Sequence, residues 1–234
     1  YQVEGHIIPA LGHLRLSELQ TAHIQRLYNE KLKSGRLDGK PGGLTPKSVR
    51  FIHTVIHSCL EQARKEGMIT INPASAVRLP KLEQREIRYL DSGEIKEFLE
   101  VARDSKHFAA FFLALNTGMR RGEILGLRWK DIDLEEGQLT VNQGLVRVSG
   151  KGLVFQEPKT KLSNRTISLS PMVVKVLREH KKRQNECRLL LGGAYNKDLD
   201  LVFANELGEP VCPRALTRIF ERLTKKAGLD ASFH

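Results

Sequence analysis

The sequence predicts a mainly α-helical protein with a small β-sheet, an α+β chain in which a small all-helical domain precedes a larger mixed one. Three observations carry this expectation. Apolar residues recur at helix spacing in the first eighty residues and again in the later stretches. Short alternating segments separated by glycine turns are confined to residues 138–169. The stretch Leu79–Arg88 is charged, proline-marked and without a period, as a linker would be. These set the expected boundaries at 1–82 for the helical domain, 83–90 for the linker and 91–234 for the second domain.

In the first domain, Thr21 reads as an N-cap, and Ile24, Leu27, Tyr28 and Leu32 then repeat at helix spacing as far as Lys33. A glycine-rich break covers Ser34–Gly43. Thr45 and Pro46 supply a cap and a first-turn proline, whose fixed φ suits a helix start. Behind them Val49, Ile52, Val55, Ile56, Leu60 and Ala63 form a stripe that ends near Gly67. Asn72-Pro73 and Pro80 interrupt any regular structure between Gly67 and the linker. So little apolar surface implies modest stability for this domain alone.

The second domain opens at Asp91, where Glu94 completes a capping box. Helices are expected around Ile95–Ala102 and Phe108–Leu115, and from about Arg121 to Trp129. Strands are expected at Gln138–Val141, Leu145–Val148, Leu153–Glu157 and Arg165–Leu169, with Gly150-Lys151-Gly152 as a turn. Ser170-Pro171 begins another helix carrying Val173, Val174, Val176 and Leu177. A last helix, Pro213–Lys226, buries Leu216, Ile219, Phe220 and Leu223.

Charge narrows the function. The chain carries a formal +11, with a pI of about 9.7. Residues 1–80 hold 11 Lys and Arg against 6 Asp and Glu, and the remainder 27 against 21. An excess in both parts points to a polyanion partner, whose condensed counterions are released on binding. No apolar run approaches the roughly 20 residues that span a bilayer, and the first residues lack the pattern of a signal peptide. Cys59, Cys187 and Cys212 are too widely spaced for a disulfide framework or a zinc site, and are expected to be reduced in a cytoplasmic protein. Asp131 and Asp133 are read as a turn after a helix. No histidine or third carboxylate motif accompanies them to hold a metal.

The chemistry-bearing strings lie in the second domain. Thr117-Gly-Met-Arg-Arg-Gly-Glu123 joins two helices and sets Arg120 near the start of the second. A guanidinium there can grip phosphate with a planar fork. The wider string Asn116–Trp129, followed by Lys130-Asp-Ile-Asp133, closely resembles the first arginine box of the tyrosine recombinase (phage integrase) family. That resemblance implies that Arg120 contacts the scissile phosphate and that Glu123 supports the hydrogen bonding around it. Arg121 and Arg128 fall outside the catalytic position. A second string, Glu157-Pro-Lys-Thr-Lys-Leu-Ser-Asn-Arg-Thr-Ile-Ser-Leu169, resembles the family's β-hairpin bearing a general-acid lysine. Lys159 fits that position best, with Lys161 as the rival. A lysine there would protonate the leaving 5′ oxygen, which as an alkoxide leaves poorly. The third string, Ala231-Ser-Phe-His234, is similar to the approach to the family's histidine box. His234 would then contact phosphate and assist proton transfer.

The resemblance extends to the N-terminal part through His6–Gly12, Ile24-Gln25, Ala63–Gly67 and Ile71–Ala74, which look like a core-type DNA-binding domain with a SAM-like fold. Candidate DNA contacts are Lys47, Arg50, Lys161, Arg214 and Arg218. The implied function is site-specific integration or excision of a mobile element, prokaryotic or phage-borne. Strands would be cut and rejoined without metal or other cofactor through a 3′-phosphotyrosyl bond. The implied partners are double-stranded recombination sites, a tetramer on synapsed DNA and an accessory directionality factor, with no membrane. Tyr1, Tyr28, Tyr89 and Tyr195 lie in the wrong contexts for the nucleophile. A second arginine and the tyrosine are expected beyond His234, and an arm-binding domain before Tyr1. The alternative is a non-catalytic, sequence-specific DNA-binding protein. A metal-dependent nuclease lacks the ligand spacing.

Overall fold

A computed structural model describes residues 2–82, 89–157, 164–231 and 233. The chain divides into two compact units, Tyr1–Glu86 and Ile87–His234. The expected linker lies mostly outside the described residues, as do Lys159, Lys161 and His234.

In the first unit, a π-helical turn, Val3–Ile7, runs into a short helix α1 (Ile8–Leu11). Helices α2 (Thr21–Ser34) and α3 (Pro46–Lys65) follow. Ile24, Leu27 and Tyr28 of α2 meet Val49, Ile52, Ile56 and Leu60 of α3 in one buried cluster that Ala74 closes. The Thr45 hydroxyl accepts the Ser48 N–H at 3.2 Å, as a cap should. Thr21 departs from expectation. Gln20 is the N-cap residue, and the Thr21 hydroxyl instead donates to the Pro73 carbonyl at 2.8 Å, tying α2 to the segment behind α3.

The second unit starts with α4 (Ser92–Ala102), closed by reciprocal bonds between Asp91 and Glu94. Helices α5 (Phe108–Thr117) and α6 (Arg121–Gly126) follow. Helix α6 is shorter than its apolar spacing predicts. The chain leaves the helix at Leu127 because the flanking backbone pairs elsewhere: the Leu127 carbonyl accepts from Val202, and the Trp129 N–H donates to the Asp200 carbonyl. A 3-10 turn, Trp129–Asp131, completes the detour.

Strands β1 (Ile132–Asp133), β2 (Gln138–Val141), β3 (Gly144–Val148), β4 (Gly152–Gln156) and β5 (Arg165–Ser168) come next. They form two antiparallel sheets, ordered β1-β2-β5 and β3-β4. The expected hairpin across Glu157–Leu169 is therefore corrected: β4 pairs with β3, whereas β5 pairs with β2 in the register Leu139↔Ile167 and Val141↔Arg165. That register sets apolar Ile167 opposite buried Leu139. Helices α7 (Pro171–Leu191) and α8 (Pro213–Lys226) complete the unit. The core gathers Phe98, Phe111, Leu113, Leu125, Leu139, Leu177, Leu216 and Phe220 from helices and sheet alike.

Candidate active site

The site is built at the junction of α5 and α6. Gly118 adopts φ +62°, the left-handed conformation that ends α5, and its N–H donates to the Ala114 carbonyl. Met119 then turns inward, only 5% exposed, and anchors the junction in the core. Arg120 follows with extended backbone as the N-cap residue of α6, and its side chain is 77% exposed. Gly122 fixes how closely the helix sits on β3: a Cβ there would lie 2.9 Å from the Leu145 carbonyl oxygen. The Thr-Gly-Met-Arg-Arg-Gly spacing thus combines a turn, an anchor, an outward guanidinium and a close helix–strand contact.

Behind Arg120 stands Glu123, whose side chain is 12% exposed. Its Oε2 accepts the Arg120 backbone N–H at 2.9 Å and Arg165 Nη2 at 2.8 Å. Its Oε1 accepts Arg120 Nη1 at 2.9 Å and Arg165 Nη1 at 3.2 Å. The four bonds match the roughly four lone-pair positions of a carboxylate. Burial by itself would raise the Glu123 pKa. The hydrogen bonds from Arg165 and Arg120, with the Arg165 charge, outweigh it and hold the carboxyl at about 2. Glu123 is therefore an anion throughout the physiological range.

Arg165 belongs to the same cluster, although no sequence motif assigns it a role. A signal is present, because alternation in Arg165-Thr-Ile-Ser-Leu169 puts Arg165 on the same face as Ile167 and Leu169. A guanidinium on a face otherwise apolar needs an acidic partner, and Glu123 is that partner.

The other arginines of the motif are committed within the protein. Arg121 Nη1 donates to the Thr217 hydroxyl on α8 at 2.5 Å. Arg128 forks onto Asp131 at 2.7 and 3.1 Å, and Asn142 also donates to that carboxylate. Asp133 accepts the N–H groups of Glu135 and Glu136, as a turn residue does. Among the described residues, no group of three or more His, Cys, Asp or Glu could hold a metal ion. Lys47 lies exposed and Arg50 half-buried on α3, while Arg214 and Arg218 are exposed on α8. A concavity of about 830 Å³ runs between β3 and the start of α8. Arg121, Arg147 and Arg214 line it, and its described lining holds no carboxylate.

Two of the sequence-predicted site residues, Arg120 and Glu123, are thus brought into direct contact, while Lys159, Lys161 and His234 fall outside the described residues. Tyr28 is fully buried, its hydroxyl hydrogen-bonded with His53, and burial pushes its pKa up. Tyr89 is 79% exposed. Among the described residues, no helix is long and apolar enough to cross a membrane.

Comparison with known proteins identifies the group to which these features belong. Residues 88–234 match the phage integrase family, and residues 1–32 match the phage integrase N-terminal SAM-like domain. A tyrosine recombinase XerC-like protein of Caldanaerobacter subterraneus subsp. tengcongensis is 30% identical over 94% of this chain and 59% of its own length. The ICEBs1 integrase of Bacillus subtilis is 30% identical over 75% of this chain and 48% of its own. The chain thus spans between about half and three fifths of these relatives. Among solved structures, the Tn1549 transposon integrase in complex with a circular intermediate DNA superposes with a TM-score of 0.75 at 21% identity, covering 93% of this chain and 67% of that one. A lambda integrase tetramer bound to a Holliday junction gives 0.62 at 24% identity, covering all of this chain and 60% of that one. With a family match over residues 88–234, more than half of its length, the chain belongs to the phage integrase family.

Proposed function

We propose that this chain carries the DNA-binding and phosphate-activating parts of a site-specific DNA recombinase that integrates or excises a mobile element. The observation that carries the reading is the exposed Arg120, backed by the half-buried, ionised Glu123. A guanidinium held this way is preorganised for charge that grows on a phosphate during substitution. Arg120 contacts the scissile phosphate in this reading. Lys159, with Lys161 as its rival, protonates the leaving 5′ oxygen, and His234 assists at the phosphate. A tyrosine oxygen attacks phosphorus as the bond to the 5′ oxygen breaks, and the 3′-phosphotyrosyl ester keeps the energy for rejoining. The partner is double-stranded DNA in a multimeric, tetrameric synapse, with an accessory directionality factor, in the cytoplasm. Residues 1–82 form the core-binding domain, 83–90 the linker and 91–234 the catalytic domain. Lys47, Arg50, Arg214 and Arg218 meet DNA backbone, and the arginine-lined concavity supports that placement for Arg214.

A nicked suicide substrate tests the reading on the full-length protein. A covalent 3′ adduct should accumulate in EDTA. Arg120→Ala should suppress it by about two orders of magnitude or more while DNA affinity changes little. Affinity should also fall steeply with salt. An obligatory metal, or DNA binding with no adduct under any condition, overturns the reading. The second outcome would leave a non-catalytic DNA-binding protein.

A further inference from the structure

The structure assigns to Arg165 a positioning role: through Glu123 it holds Arg120 in the orientation that meets phosphate. The inference rests on the recombinase reading of Arg120. A side chain 77% exposed, as Arg120 is, has no packing of its own to choose a rotamer. What orients it is the Glu123 carboxylate, and Arg165 supplies two of the four hydrogen bonds that orient that carboxylate in turn. Arg165 is itself placed by the sheet, because its backbone lies opposite Val141 in the β2–β5 register. The path therefore runs from strand register to Arg165, to Glu123, to Arg120.

The same residue opens β5, the strand directly after the segment that contains Lys159 and Lys161. The contact with Glu123 thus pins the start of β5 to α6. Arg165 touches no reacting atom in this scheme. A lysine in its place could hold Glu123 only as a point charge and not with two parallel donors.

Two measurements separate this role from simple support of the fold. In the present chain, nuclear magnetic resonance reads the order of the Arg120 guanidinium. In the full-length protein, adduct formation on the suicide substrate is followed against pH beside DNA affinity. Arg165→Met should free the Arg120 guanidinium and slow adduct formation by about a hundredfold, the scale of a misplaced reacting group, with DNA affinity kept within about threefold. Arg165→Lys should fall between this variant and the parent. The Arg165→Met variant should also lose activity progressively on acidification, because Glu123 would lose the donors that keep it ionised. Adding Glu123→Gln should remove that acid limb. The proposal is overturned if Arg120 stays ordered in Arg165→Met. Rate and DNA affinity falling in parallel would overturn it too, since Arg165 would then be a DNA contact. If Arg120 is freed in a protein whose parent never forms an adduct, the recombinase reading fails and the role falls with it, although the residue contact stands.

Discussion

Arg165 on β5 and Glu123 on α6 stand 42 positions apart in the chain and meet through two parallel hydrogen bonds of 2.8 and 3.2 Å. The pair makes stability depend on pH. Glu123 titrates at about 2 in the folded protein, against 4.5 for an unperturbed carboxyl. Its contribution is complete above about pH 4.5. It declines as pH falls, because the unfolded chain takes up the proton first, and it is gone below about pH 2. Arg120 is exposed and water screens the cluster, so the stabilisation is smaller than the full free-energy equivalent of the shift. Denaturant midpoints of the parent and Glu123→Gln should differ at neutral pH and converge toward pH 2. A constant difference across that range would mean that the charge of Glu123 adds nothing to stability.

Glycine at two positions of the motif answers to two different constraints. A Cβ on Gly122 would press on the Leu145 backbone oxygen at 2.9 Å, and backbone yields only if α6 shifts from β3. Gly118 has open space around it but φ +62°. Gly122→Ala should therefore cost about 1–3 kcal/mol through overpacking, and Gly118→Ala about 1–2 kcal/mol through backbone strain. Asparagine, which tolerates the left-handed region, should recover part of the loss at 118 but none at 122. Urea titration of the four single variants measures both effects, and equal behaviour at the two sites would refute the distinction.

Much of this is legible in the sequence, and the failures share a cause. Caps such as Thr45 and the Asp91–Glu94 box, and the helix Pro213–Lys226, obey local rules that act within a few residues. The early end of α6 is not local. The chain leaves the helix at Leu127 because the segment Asp200–Val202, more than 70 residues away, takes the Leu127 carbonyl and the Trp129 N–H. The pairing of β5 with β2 is likewise set by which strand offers Leu139 opposite Ile167. The Thr21 hydroxyl is drawn to Pro73 by tertiary packing rather than to its own helix. In the candidate site, Arg120 and Glu123 are visible as a string, whereas Arg165 becomes legible only once alternation is used to ask which face a charge occupies.

Asn72 reads in the sequence as half of an Asn-Pro breaker, but it is 4% exposed and holds the first unit together. Its Nδ2 donates to the His57 carbonyl at 3.1 Å and to Glu61 at 3.3 Å, and its Oδ1 accepts the N–H of fully buried Ala74 at 3.0 Å. Asn72→Ala leaves that N–H without its acceptor and should destabilise the protein by about 1–3 kcal/mol. Asn72→Asp keeps the acceptor but sets a second carboxylate against Glu61. Its deficit should therefore shrink as acid protonates the pair. Thermal melts at pH 7 and pH 4 distinguish the variants; an aspartate deficit that grows on acidification would refute the contact.

Phe233, the residue before His234 in the sequence, is held in the core of the second unit. Its ring lies 5.6 Å from that of Phe111, edge to face, and 5.0 Å from that of Phe220. Phe98 meets the same two rings at 5.7 and 5.0 Å, so α4, α5, α8 and the segment after α8 share one aromatic cluster. Truncating Phe233 to alanine removes a side chain that is only 9% exposed. The expected cost is about 3 kcal/mol, whereas Phe233→Leu, which keeps most of the volume, should cost less than about 1.5 kcal/mol. The effect should also reach chemistry. Phe233 directly precedes the proposed His234 in the chain, so adduct formation by the full-length protein should slow well beyond any change in DNA affinity. Leucine should restore most of both. Hydrogen exchange after Leu229 offers an independent reading: protection there should fall in the alanine variant first. Unchanged protection together with an unchanged cleavage rate would show that the cluster does not hold this segment.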